Sequence, residues 1–186
     1  ISADLDASRL LEAAAGSFVL TGQDANLNAT GAFPASPGSF VLTGEDAAFN
    51  RALKLEAEAG SFALSGQDAG LNLTYSIDAE TGAFVLTGQN VDFELAGGFP
   101  AESGSFTVSG QDAALTVQRK LDCVAGAFTF SGQDANFDPG FVLNAETGAF
   151  ILTGQDADFS RVLELNAEPG AFVLSGVDAT LEWSEA

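Results

Sequence analysis

The chain repeats itself every 22 residues, and this repeat restricts the possible folds more than any other feature of the sequence. The stretch GSFVLTGQDA at 16–25 returns as GSFVLTGEDA at 38–47 and as GAFILTGQDA at 148–157. The copies follow one another without insertion or deletion, so a single structural unit is copied along the chain. The glycines that open the copies are Gly16, Gly38, Gly60, Gly82, Gly104, Gly126, Gly148 and Gly170.

The positions of each repeat are numbered as columns 1 to 22, with the opening glycine in column 1. Apolar residues alternate in three short groups, at columns 3 and 5, at columns 10 and 12, and at columns 18 and 20. Alternation of this kind is typical of β-strands. Its phase changes at the Gly-Gln-Asp of columns 7 to 9 and again near column 1, which predicts corners there. Columns 13 to 17 vary and predict a looser third bend.

A coil of three short strands cannot bury its own apolar side, whereas stacked coils bury it and pair their backbone groups. We therefore predict one continuous all-β domain over residues 1–186, a single-chain parallel β-solenoid (β-helix) with 22 residues per coil and about eight coils. A right-handed winding is expected because parallel crossovers have that hand. The array begins and ends within a repeat, so we expect further coils in a longer chain or copies stacked end to end.

A phenylalanine ladder is predicted at the centre of this solenoid. Like side chains of successive coils lie over one another at a strand spacing of about 4.8 Å, and stacked aromatic rings bury a large apolar area. Column 3 holds phenylalanine in all eight copies, at Phe18, Phe40, Phe62, Phe84, Phe106, Phe128, Phe150 and Phe172.

The repeat pattern G-x-F-x-L-T-G-Q-D-A-x-L resembles repeat arrays of bacteriophage tail-associated and structural proteins. In its period the array is also similar to curli-like amyloid subunits. Either resemblance implies a structural role and a location outside the cell or on a virion.

Composition argues against several classes of function. The net charge of −20, from 26 acidic and 6 basic residues, disfavours nucleic acid and anionic membranes as partners. No apolar run approaches the ~18 residues of a membrane span, so no membrane insertion is expected. The chain has no histidine, and its one cysteine, Cys123, takes an inward alanine position. Coils of equal length form no irregular cleft, so we predict no catalytic residues and no enzyme activity.

One outward face is almost free of charge. Columns 2, 4, 6 and 8 hold mostly Ser or Ala, Val, Thr or Ser, and Gln, with Glu45 as the one charged residue. Such a face is suited to dry packing against a second copy, although small β-branched residues also simply favour a strand. The residues predicted for the interface are Val19, Thr21, Gln23, Val41, Thr43, Val85, Thr87, Gln89, Ile151, Thr153, Gln155 and Val173.

A row of carboxylates follows the first corner in column 9. Carboxylates stacked about 4.8 Å apart repel each other by about 0.9 kcal/mol per pair in water, so we expect each one to accept corner N–H groups. A row of weakly bound Ca²⁺ is the alternative, since this hard cation takes oxygen ligands. The row consists of Asp24, Asp46, Asp68, Asp112, Asp134, Asp156 and Asp178, and Asn90 interrupts it.

These observations predict a non-enzymatic structural protein that is part of a fibre or filament. The setting is a phage tail or appendage, or an extracellular filament, and the partner is the protein itself. Assembly is expected through end-to-end coil stacking, lateral packing of the uncharged face, or both. The alternative is a binding module that uses the Val/Thr/Gln face to bind ice or a glycan.

Overall fold

Three parallel β-sheets wind around one core, so the predicted parallel β-solenoid is confirmed. The computed structural model describes residues 2–7, 16–30, 33–34, 38–51, 54–56, 59–74, 76–78, 81–101, 103–118, 120–123, 125–138, 142–144, 147–162, 164–166 and 170–183. Each strand pairs with its counterpart one 22-residue repeat away, as Phe84 pairs with Phe62 on one side and Phe106 on the other. Within those ranges no helix has the length and hydropathy of a membrane span.

The first sheet, named the phenylalanine sheet, contains columns 2 to 6 of each coil. Its strands alternate between the core and the outside, so the Phe and Leu columns are buried. Its eight strands are β2 (Ser17–Thr21), β5 (Ser39–Thr43), β8 (Ser61–Ser65), β11 (Ala83–Thr87), β14 (Ser105–Ser109), β17 (Ala127–Ser131), β20 (Ala149–Thr153) and β23 (Ala171–Ser175).

The second sheet, named the aspartate sheet, begins at column 9 and has nine strands. They are β1 (Ala3–Ala7), β3 (Asp24–Ala29), β6 (Asp46–Arg51), β9 (Asp68–Leu73), β12 (Asn90–Leu95), β15 (Asp112–Val117), β18 (Asp134–Asp138), β21 (Asp156–Val162) and β24 (Asp178–Trp183). The register shifts between Phe159 and Val162, where β21 pairs with β24.

The third sheet, named the short sheet, has seven strands around columns 17 to 19. They are β4 (Phe33–Pro34), β7 (Lys54–Glu56), β10 (Ser76–Asp78), β13 (Gly98–Ala101), β16 (Lys120–Cys123), β19 (Val142–Asn144) and β22 (Glu164–Asn166). These strands contain column 18, which the alternation pattern had placed in the core.

The strands of the aspartate sheet extend further than the sequence pattern predicted. The loose bend was expected to start at column 13, but most of these strands continue to column 14. Leu73, Leu95 and Val117 occupy column 14 and are buried. The variable composition of this column, which has Arg51 and Arg161 in other coils, hid its role from the sequence pattern.

The first corner is held together by backbone hydrogen bonds between coils. The N–H of Gly44 donates to the carbonyl of Ser65 at 3.1 Å, whereas the N–H groups of Glu45 and Asp46 both donate to the carbonyl of Gln23, at 2.6 and 3.1 Å. A Cβ atom on Gly44 would lie 2.8 Å from the carbonyl oxygens of Gln23 and Asp46. Glycine is required in column 7 because backbone from two coils approaches it this closely.

The phenylalanine ladder forms the centre of the core. The rings of Phe128 and Phe150 stack with centroids 5.0 Å apart and planes 5° from parallel, and Phe106 stacks on Phe128 at 4.8 Å. Phe137 of the aspartate sheet packs against Phe150 at 5.0 Å with a tilt of 42°. The ladder is buried from Phe40 to Phe150, and Phe18 and Phe172 in the outer strands are half-buried.

Removing one ring from the middle of this ladder is expected to destabilise the solenoid. Phe106 is fully buried between Phe84 and Phe128. Phe106→Ala should lower the free energy of unfolding by about 3–5 kcal/mol, because the stacked coils above and below cannot close the cavity. Urea denaturation followed by circular dichroism measures this change. The control is Thr107→Ala, which alters the outward side of the same strand and should cost less than about 1 kcal/mol. Equal losses in both variants would contradict the central role of the ladder.

Candidate interaction surfaces

The outer side of the phenylalanine sheet is a continuous surface without charge. It is named the uncharged face and consists of the side chains of columns 2, 4 and 6. The eight strands have five residues each and contain no Asp, Glu, Lys or Arg. Val19, Val85 and Val173 are exposed by 57%, 37% and 42%. All seven strand pairings of this sheet keep their register, so every column runs straight along the face.

The interface residues predicted from the sequence lie together along this surface. Thr21 and Thr87 are exposed, and Val41, Thr43, Ile151 and Thr153 are half-exposed. Gln23, Gln89 and Gln155 are exposed at the corner that borders the face. The hydroxyl oxygens of Thr43 and Ser65, one coil apart, are 3.3 Å from each other and share a hydrogen bond. The face therefore presents methyl groups and a hydroxyl column in one regular array.

The seven aspartates predicted from column 9 form an exposed row beside this face. Each of them begins a strand of the aspartate sheet, and successive members pair directly, as Asp46 does with Asp68 and Asp112 with Asp134. This aspartate row thus places like charges one strand spacing apart along the solenoid. Repulsion within the row is a cost of stacking identical coils.

The expectation that each carboxylate of the row accepts corner N–H groups is wrong. The N–H groups of columns 7, 8 and 9 donate to backbone carbonyls of neighbouring coils instead, so the corner is satisfied without the carboxylates. The row is relieved at one point by a substitution in the repeat. Asn90 stands where aspartate is otherwise found, and its Nδ2 donates to Oδ1 of Asp68 at 2.7 Å.

Other outward columns of the aspartate sheet use the same amide-to-carboxylate pairing. Asn26 donates to Asp4 at 2.8 Å and Asn28 donates to Asp6 at 3.0 Å, each across one repeat. In the short sheet, Asn144 donates to Asp122 at 2.8 Å. A carboxylate is an acceptor and an amide supplies the donor, so alternating them replaces a repulsive stack by a bonded one.

A shallow groove of about 660 Å³ runs along the outside of the aspartate sheet. Its lining includes four members of the aspartate row and the small column-11 residues Ala48, Gly70 and Ala114. A second groove, of about 780 Å³, follows the corner of the opening glycines and is lined by small residues. The alternation of apolar residues in the sequence did not predict either groove, although the small residues of columns 22, 1 and 2 follow the second one.

The sequence contains two kinds of group that could bind a metal or act as a nucleophile, the carboxylates of the aspartate row and the thiol of Cys123. Across the described residues, no three His, Cys, Asp or Glu side chains are grouped as ligands of a metal ion, and calcium binding along the row stays a prediction. Cys123 ends strand β16 of the short sheet. Lys120, in the same strand, forms an ion pair of 2.9 Å with Asp122.

Comparisons with known proteins assign this chain to no family. No family model, no curated protein and no solved structure matches it. A function for the chain is therefore inferred from its fold and from the chemistry of its surfaces.

Restoring the interrupted row is expected to lower stability in a salt-dependent way. Asn90→Asp replaces the amide that donates to Asp68 with a carboxylate between Asp68 and Asp112, so that the row has no interruption. The free energy of unfolding should fall by about 0.5–1 kcal/mol at low salt, the usual size of an exposed charge interaction. Urea denaturation at about 0.01 M and about 1 M NaCl measures the loss, which screening should largely remove. The comparison is Asn50→Asp, which makes the same substitution in column 13, outside the aspartate row. A loss for Asn90→Asp that does not depend on salt would contradict repulsion as its cause.

Proposed function

We propose that this protein is a non-enzymatic structural element of a fibre or filament, and that its copies pack side by side through the uncharged face. The observation that carries the proposal is the segregation of charge. The chain has 26 acidic and 6 basic residues, but none of them lies in the eight strands of the phenylalanine sheet. A second copy carries the same net charge of −20. It can approach this face without placing a carboxylate directly against another.

The size and chemistry of the face support a second copy as its occupant. Eight strands at about 4.8 Å and five residues at about 3.3 Å give an area of roughly 600 Å² on each partner. Two such faces bury about 1,200 Å² together, at the lower limit of specific interfaces. Exposed Val19, Val85 and Val173 supply apolar area, and small side chains between them allow close approach. Many weak contacts of this kind, repeated along a filament, hold it together.

End-to-end stacking of coils extends the same proposal along the axis of the solenoid. Backbone N–H and C=O groups of a parallel strand pair with the next coil whether or not that coil belongs to the same chain. Fibres built this way are proposed to lie outside the cell or on a virion, such as a phage tail or appendage. The resemblance of the repeat to phage tail-associated and structural proteins favours that setting. The combination of a strongly acidic chain with one uncharged face favours it as well.

Placing charge on the uncharged face is expected to prevent association. Val85→Glu combined with Thr129→Glu adds two carboxylates at its centre, so that packing would bring like charges of both copies into one interface. The control, Ala48→Glu with Thr116→Glu, adds the same charge to the outer side of the aspartate sheet. Sedimentation velocity at about 0.5 M NaCl should find the parent chain and the control associated and the face variant at least about tenfold weaker. A parent chain that stays monomeric over the concentration range would overturn the proposal.

Ice binding is a second candidate, and one observation favours it. A Thr or Ser occupies column 6 in all eight strands, and the Val and Thr columns form a regular array of methyl and hydroxyl groups on one face. Ordered water can bridge such hydroxyls. An ice-recrystallisation assay separates the candidates. A face that binds ice makes the parent chain slow crystal growth while Val85→Glu with Thr129→Glu does not, whereas a purely structural face leaves the two alike.

A further inference from the structure

The aspartate row lies at the border of the uncharged face. Asp46 follows Thr43, the last residue of strand β5, by three positions, with Gly44 and Glu45 forming the corner between them. Three residues span at most about 10 Å, so each carboxylate of the row is close to the edge of the face. Every aspartate of the row is exposed to solvent. Whatever packs on the uncharged face therefore approaches a line of negative charge.

Column 9 itself contains no basic residue in any repeat. All six basic residues fall in columns 14 to 17, at least five positions along the chain from column 9. Lys120 is already paired with Asp122 of the short sheet at 2.9 Å. Among the described residues, the hydrogen bond from Asn90 to Asp68 is the one side-chain bond within the row. Within column 9, screening of the carboxylates therefore depends on dissolved ions.

The separation of two packed copies sets how strongly their rows repel. Sheets stacked face to face are about 10 Å apart. When two copies pack through the uncharged face, the aspartate row of each copy therefore lies on the order of 10–20 Å from acidic groups of the other copy. The Debye length is about 30 Å at 0.01 M salt and about 3 Å at 1 M. Repulsion between copies therefore acts across the whole interface at low salt and is nearly absent at high salt.

We propose that the aspartate row makes self-association through the uncharged face conditional on ionic strength, so that copies stay apart in dilute medium and associate in a salt-rich one. This inference rests on the proposed lateral packing and concerns how that packing is regulated. The apolar and hydroxyl side chains of the face supply the attraction, and the row at its border supplies a repulsion that salt removes. Identical coils strengthen the effect because every added coil lengthens both the face and the row.

The test compares a row variant with a charge-matched control in the full chain. The row variant carries Asp→Asn at Asp24, Asp46, Asp112, Asp134 and Asp156. The control neutralises the same number of carboxylates in columns 11 and 13, further from the corner, with Asp→Asn at Asp4, Asp6, Asp92 and Asp158 and Glu→Gln at Glu94. Far-UV circular dichroism verifies that both variants keep the β-fold.

Sedimentation velocity at about 0.01 M and about 0.5 M NaCl measures the association constant of each protein. The parent chain should associate at least about tenfold more tightly at the higher salt. The row variant at low salt should come within about threefold of the parent chain at high salt, and the control should keep most of the salt dependence.

Two results would overturn the inference while lateral packing stands. One is equal association of the parent chain at both salt concentrations. The other is an equal loss of salt dependence in the row variant and the control, which would assign the effect to net charge rather than to the row. If the parent chain and the row variant both remain monomeric at every salt concentration, the interface itself is absent, and the proposed function fails together with its regulation.

Discussion

Parallel pairing of each strand with its counterpart one repeat away is the constraint on which the rest of the molecule depends. Since the offset is one repeat, residues paired in register lie over the residue in the same column of the next coil, as Phe128 lies over Phe106 and under Phe150. An apolar column gains from this arrangement, because aromatic rings stack and exclude water. The corner glycines belong to the same constraint, since they let successive coils approach closely enough to exchange backbone hydrogen bonds.

The constraint that stabilises the core has a cost on the surface. The aspartates of column 9 pair in the same register as the phenylalanines of column 3, and their carboxylates repel each other. The protein meets this cost in two ways. In columns 11 and 13, amides are interleaved with carboxylates, so that Asn26 bonds to Asp4 and Asn28 to Asp6. In column 9 the aspartates are retained and exposed to water, which keeps the effective dielectric high.

The division of charge among the three sheets is what relates the fold to a function. A chain with a net charge of −20 repels its own copies, and the strands of one face carry none of that charge. In the proposed function, attraction and repulsion between copies belong to adjacent surfaces of one coil, the uncharged face and the aspartate row, with only the corner of columns 7 and 8 between them. Each added coil extends both the uncharged face and the aspartate row, so the ratio of their areas does not depend on the number of coils.

The amino-acid sequence by itself determined the coil length, the three strands, the phenylalanine ladder and the absence of charge from the face that holds Val85 and Thr87. It could do so because a strand alternates its sides with a period of two, and a repeat without insertions keeps that alternation in register. Only the tertiary structure decided that Leu73, Leu95 and Val117 of column 14 belong to the core, since the same column contains Arg51 in sequence and Arg51 pairs with Leu73 in one sheet. It likewise decided that the corner N–H groups bond to the carbonyl of Gln23 rather than to an aspartate side chain. Those outcomes depend on how closely neighbouring coils approach, and the pattern within a single repeat does not contain that distance.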